Sequence, residues 1–159
     1  ESVVNQSRLP TEWIIVDDGS SDSTPDILAE YAKRYSWIKV ITRNDRGARA
    51  VGPGVIEAFY AGLETADVSQ FQYICKLDLD LDLPSTYFET LISRMETDTT
   101  IGSCSGKAYI KSGVNYISER HGDDTSIGAS KFYRTSVFLA IGGFVREVMW
   151  DGIDCHRCR

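Results

Sequence analysis

Apolar runs of strand length alternate with segments of helical spacing along almost the whole of this 159-residue chain. That alternation confines the fold to an α/β layer arrangement with a mostly parallel central sheet. Glu12-Trp13-Ile14-Ile15-Val16-Asp17 is a continuous apolar strand that runs into the turn-rich Asp18-Gly19-Ser20-Ser21-Asp22-Ser23. Thr24 caps and Pro25 opens a helix whose Ile27, Leu28, Tyr31 and Tyr35 share a face. The pattern then predicts a strand over 37–42, a helix over 55–65, and a strand ending near residue 80. Beyond it come a helix over 86–95, with Thr86 and Glu89 in capping-box spacing, and a strand over 100–105. The last third is less regular, with a hairpin over 109–118 around Ser112-Gly113 and a short helix over 136–141 ended by Gly142-Gly143. No repeat, linker or low-complexity stretch interrupts the series. With 42% hydrophobic and 25% charged residues, one domain over 1–159 is expected.

The stretch richest in chemistry is Phe71 to Pro84, an apolar run closing on Asp78, Asp80 and Asp82. Residues two apart on an extended chain point the same way, so Asp78 and Asp80 would repel unless a cation lay between them. A divalent metal, Mn2+ or Mg2+, is the expected occupant. Turn-forming acids beside solvent would leave the same pattern. A calcium loop is set aside, because Leu83 stands where that loop needs Gly and the preceding segment reads as a strand rather than a helix.

In open parallel sheets, ligands bind beyond the carboxyl ends of the strands. Here those ends carry Asp17-Asp18, then Arg43-Asn44-Asp45-Arg46-Gly47-Ala48-Arg49, then Asp78 and Asp80. Carboxylates for a metal, Arg46 and Arg49 for phosphate, and Gly47 for close backbone approach describe a site for a metal-bound nucleotide diphosphate. A solvated surface loop is the plainer reading of the arginines.

Net charge is -6, which provides no general attraction for nucleic acid or anionic lipid. No apolar stretch approaches the ~18 residues of a membrane span, and the first residues lack the pattern of a signal peptide, so a cytoplasmic setting is expected. The four cysteines do not form a disulfide pattern and read as reduced thiols. Cys155-His156-Arg157-Cys158 has no second ligand pair to complete a zinc site.

Taken together, EWIIVDDGSSD at 12–22 and KLDLDLDLP at 76–84 resemble the donor half of the family 2 glycosyltransferases, which have the GT-A fold, a Rossmann-like α/β/α sandwich. SKFYR at 130–134, AIGGF at 140–144 and MWDGID at 149–154 are similar to the acceptor half of a bacterial branch of that family. The resemblance implies a donor half over 12–84 and an acceptor half over 100–159. It implies a UDP- or GDP-sugar donor, transfer to a saccharide or lipid-linked acceptor with inversion, and a role in envelope or extracellular polysaccharide synthesis at the inner face of a membrane. By the same resemblance Asp18 would contact the base and Asp17 support the turn. Asp78 would lie near ribose and metal, Asp80 would bind the metal, and Asp151 would be the general base.

Departures from the family pattern set further expectations. Many relatives carry Glu-Asp where this chain has Trp150-Asp151, with Asp154 three residues on. A full member begins with another strand bearing an Ile-Pro-x-Tyr-Asn-Glu type of motif and continues past Arg159, so the chain reads as an internal segment of a longer protein. Two alternatives stay open here. One is a non-catalytic nucleotide-binding scaffold of the same fold. The other is a sugar-nucleotide nucleotidyltransferase, although no G-x-G-x-R run occurs.

Overall fold

The computed structural model describes residues 1–44, 47, 52–119, 122 and 124–159. The chain packs as two compact units. One comprises Pro10–Val68 with Arg146–Val148, and the other Glu1–Leu9, Ser69–Val145 and Met149–Arg159.

In the unit built on Pro10–Val68, β1 (Trp13–Asp17) and β2 (Ile38–Thr42) form a parallel pair in register from Trp13↔Ile38 to Asp17↔Thr42. α1 (Thr24–Arg34) is the crossover that a parallel pair requires. Pro25 lies in its first turn, where a missing N–H is harmless. Leu28 is buried as its spacing predicts, whereas Ile27 is half exposed and does not belong to the buried face. α2 (Pro53–Leu63) packs on β1, and Gly62 permits the approach: a Cβ there would meet Val16 at 3.0 Å and Ile14 at 3.3 Å.

The other unit contains a three-stranded sheet in the order β3 (Tyr73–Leu77), β7 (Ser130–Arg134), β4 (Ser103–Cys104). β7 is antiparallel to both neighbours, so β3 and β4 run the same way, joined by α3 (Tyr87–Thr97). Here the expected mostly parallel arrangement is modified. Alternation in the sequence marks crossovers, but it does not reveal that a later strand slots between the two it connects. Four of the five residues of β7 are buried, and Tyr133 and Lys131 are fully enclosed. The core continues through Phe88, Met95, Phe138, Phe144 and Trp150. The rings of Phe144 and Trp150 meet edge to face at 4.9 Å.

One local expectation resolves differently. The capping box at α3 does not form: Thr86 makes no side-chain cap, and Glu89 accepts a hydrogen bond from Ser7 Oγ at 2.6 Å. Gln6 takes over that function. Its Oε1 accepts from Phe88 N, and its Nε2 donates to the carbonyls of Ser2 and Pro84, so a residue 82 positions away satisfies the helix start. The hairpin forms as expected, with β5 (Tyr109–Ser112) and β6 (Asn115–Ser118), as does α4 (Thr135–Ala140) before Gly142 and Gly143, both at positive φ. SKFYR, a motif by resemblance only, is the central strand. α5 (Trp150–Arg157) begins one residue before Asp151.

Candidate functional site

Asp17, the last residue of β1, is 4% exposed. Its Oδ1 accepts from Ser20 N at 2.9 Å, which shapes the turn through Gly19, whose φ is +89°. Its carbonyl accepts from Arg43 N at 2.8 Å, and its Oδ2 is buried with no hydrogen-bond partner among the described residues. Asp18 is ion-paired with the Arg43 guanidinium at 3.0 Å. Within the same unit, a shallow recess of about 280 Å³ is lined by Arg43, Glu57, Tyr60, Ala61, Glu64 and Arg146. Its two arginines are matched by two glutamates, so it has no anion-binding bias. Gly47 is exposed with φ +69° and open space where a Cβ would stand. Arg46 and Arg49 lie outside the described residues.

In the other unit, β3 ends at Leu77, one residue short of the acids. Asp78 N still donates to Ala129 O at 2.8 Å, after which the chain turns at residues 79 and 80. The alternation that would place Asp78 and Asp80 on one side of a strand therefore stops before it reaches them. Asp80 is exposed. Asp78 forms a short ion pair with Lys76 Nζ, and that ammonium also donates to Gly128 O at 2.9 Å. Lys76 is 6% exposed and stands over the Trp150 ring at 5.1 Å from its centroid.

Gly128 is the hinge point of the arrangement. A Cβ on it would meet Asp151 Oδ2 at 2.7 Å and Asp151 Cγ at 3.3 Å, so the Asp151 carboxylate lies directly against this glycine. Asp78, Lys76, Gly128 and Asp151 thus form one continuous chain of contacts between the end of β3 and the first turn of α5. Asp151 is solvent-exposed, whereas Asp154 is 1% exposed and fully engaged. Both Asp154 oxygens accept from Lys131 Nζ, at 2.8 and 2.7 Å, and Oδ2 also accepts a short hydrogen bond from Tyr133 OH. Burial, reinforced by that bond to a carboxylate, pushes the Tyr133 hydroxyl well above the usual phenol range. Of the two acids in MWDGID, only Asp151 can meet a ligand from solvent.

Among the described residues, no group of three or more His, Cys, Asp or Glu side chains is gathered as a metal cage. The chemistry of Asp78 and Asp80 nonetheless fits a hard divalent cation. Such ions take one or two carboxylates and fill their remaining positions with substrate phosphates and water. Lys76, Gly128 and Lys131 went unassigned in the sequence. The only signal was Lys76 as the one charged residue in the otherwise apolar β3; in β7, which also carries Ser130 and Arg134, Lys131 did not stand out.

A family model described as Glycosyl transferase family 2 matches residues 1–150. The chain belongs to that family. Among curated relatives, a cholesterol galactosyltransferase of Borreliella burgdorferi is 32% identical over 106 residues, 66% of this chain and 26% of that protein. A putative glycosyltransferase, EpsH, of Bacillus subtilis is 34% identical over 104 residues, 65% of this chain and 27% of that protein. A beta-monoglucosyldiacylglycerol synthase of Trichormus variabilis is 25% identical across 89% of this chain and 32% of that protein. The chain thus spans about a quarter to a third of the length of these relatives.

Solved structures agree on the fold. A mannosyltransferase from Pyrobaculum calidifontis in complex with GDP-Man and Mn2+ superposes with a TM-score of 0.65 at 17% identity, over 98% of this chain and 44% of that one. GalNAc-T7 with UDP, GalNAc and Mn2+ gives 0.69 at 14% identity, over 99% and 36%. The fold is GT-A, an α/β architecture. Among the described residues, no helix is long and apolar enough to cross a membrane.

Proposed function

We propose that this family 2 chain is the catalytic segment of an inverting, metal-dependent glycosyltransferase. It would move a sugar from a UDP- or GDP-sugar to an acceptor hydroxyl in envelope or extracellular polysaccharide or glycolipid synthesis. The observation that carries the reading is the contact chain from Asp78 through Lys76 and Gly128 to Asp151. It gathers an acid suited to a phosphate-bound cation and a solvent-facing acid suited to a proton. The Mn2+ and nucleotides in the two structural neighbours, and the lipids in the names of two relatives, are consistent with that reading.

In this mechanism Asp151 accepts the acceptor hydroxyl proton as that oxygen bonds to the anomeric carbon. The bond from that carbon to the diphosphate breaks, and the electron pair leaves with the nucleotide. A carboxylate positioned for this proton transfer supplies ~100-fold or more. Asp78 and Asp80 would hold a divalent cation, which when bound would supply Lewis-acid offset of the charge on the leaving diphosphate. The Lys76 ammonium keeps Asp78 oriented. Asp17 braces the turn, Asp18 contacts the base, and Arg46, Gly47 and Arg49 serve the phosphates. We place the enzyme in the cytoplasm at the inner face of the membrane, where lipid-linked acceptors are found.

The test is release of UDP or GDP from a panel of nucleotide sugars by the full-length protein, with Mn2+ and a saccharide or glycolipid acceptor. Acceptor-dependent release that Asp151→Asn removes supports the reading. A folded protein that binds nucleotide but shows no release with any donor moves the assignment to a non-catalytic scaffold.

A further inference from the structure

Lys131 is wholly buried, on the central strand of its sheet. Its ammonium lies within hydrogen-bond reach of five atoms: both Asp154 oxygens, the Asp151 carbonyl at 2.6 Å, Cys155 Sγ at 3.2 Å and Ser126 Oγ at 3.4 Å. Three of those residues, Asp151, Asp154 and Cys155, belong to α5. Lys131 therefore grips a side chain on the second turn of that helix and the main chain of the first.

Apart from the buried ring of Trp150, packed edge to face on Phe144, α5 has little of its own to fix its beginning. It is eight residues long, too short to be stable alone in water. Its cap, Met149, has a left-handed φ of 64° that a non-glycine residue adopts at a penalty, and it makes no side-chain cap bond. Gly152 in the first turn lowers helix propensity further. A buried ion pair also contributes little net stability compared with apolar residues of similar volume. What the Lys131–Asp154 pair supplies is a fixed position.

We propose that Lys131 is a positioning residue for Asp151: paired with Asp154, it holds the Asp151 carbonyl and so fixes the Asp151 carboxylate against Gly128. The proposal rests on Asp151 acting as the base. Its test separates the two claims.

The full-length protein is compared with Lys131→Met and with the double variant Lys131→Met/Asp154→Leu, which leaves no unpaired buried charge and is the decisive form if the single variant fails to fold. Three readouts are taken: kcat and KM for the UDP- or GDP-sugar the wild type uses, calorimetric binding of UDP or GDP with Mn2+, and amide hydrogen exchange along α5. The expected result is a folded double variant with unchanged nucleotide affinity and donor KM and a kcat lower by about tenfold or more. Exchange on α5 quickens while exchange on β7 does not. A folded double variant with wild-type kcat and unchanged α5 exchange overturns the proposal. Full turnover by Asp151→Asn would instead overturn the base assignment, and α5 exchange would then decide whether Lys131 holds the helix.

Discussion

Lys76 and Lys131 stand directly opposite each other across β3 and β7, and both ammonium groups face the ring of Trp150, at 5.1 and 5.7 Å from its centroid. Like charges opposed on a strand pair repel. Two arrangements offset this: each lysine has its own carboxylate, Asp78 or Asp154, and the electron-rich face of Trp150 attracts both cations. Trp150, the residue before Asp151, is thus an aromatic platform shared by the two lysines.

Lys76→Met tests that arrangement from the β3 side. It leaves Gly128 O without this donor and Asp78 without its cation, and an unsatisfied buried acceptor costs ~1–3 kcal/mol. We expect a lower melting temperature together with a reduced kcat. Thermal unfolding followed by circular dichroism gives the first and nucleotide release the second; a variant indistinguishable from wild type in both would refute the role.

Gly128→Ala should separate catalysis from binding. The added methyl would meet Asp151 Oδ2 at 2.7 Å and displace the carboxylate. A misplacement on the scale of 1 Å can lower turnover by about 100-fold. Steady-state kinetics should show reduced kcat with little change in nucleotide affinity, and unchanged kcat would mean that the Asp151 position is not critical.

Asp151→Asn removes the proton acceptor while keeping its shape. A loss of ~100-fold or more in kcat is expected, with donor affinity retained. Asp154→Asn should behave differently, since Asp154 is enclosed with Lys131 and Tyr133 and cannot reach an acceptor. Its expected signature is a lower melting temperature.

Much of this was legible in the sequence, and the reasons for the rest are specific. Local periodicity located β1, β2, α1, α2, α3, α4 and the hairpin because each signal lies within a few residues of its consequence. It failed where a distant residue decides. Gln6, rather than the Thr86–Glu89 box, satisfies the start of α3, and β7 inserts between β3 and β4. The acids after β3 were legible as a cluster, but their orientation was not, because the strand ends at Leu77. Asp151 and Asp154 were indistinguishable by type, and the lysine opposite Lys76 separates them.

Stability should fall at alkaline pH. Cys75 and Cys104 flank Phe132 on β3 and β4, and burial pushes their thiols from 9.0 up to about 12 and about 11. In the unfolded chain they ionise near pH 9, so the stability they contribute is fully present below pH 9 and is lost as pH rises above it. Each thiol adds a slope of at most ~1.4 kcal/mol per pH unit. Melting temperatures between pH 8 and 10.5 should decline less steeply for the Cys75→Ala/Cys104→Ala variant; parallel declines would contradict the assignment.

The donor site itself is tested most directly by calorimetric titration of UDP and GDP into the full-length protein, with and without Mn2+, for wild type and Asp80→Asn. The account predicts binding of one nucleotide that requires the cation and disappears with the substitution. No binding by a folded wild-type protein, or equal binding by Asp80→Asn, would contradict it.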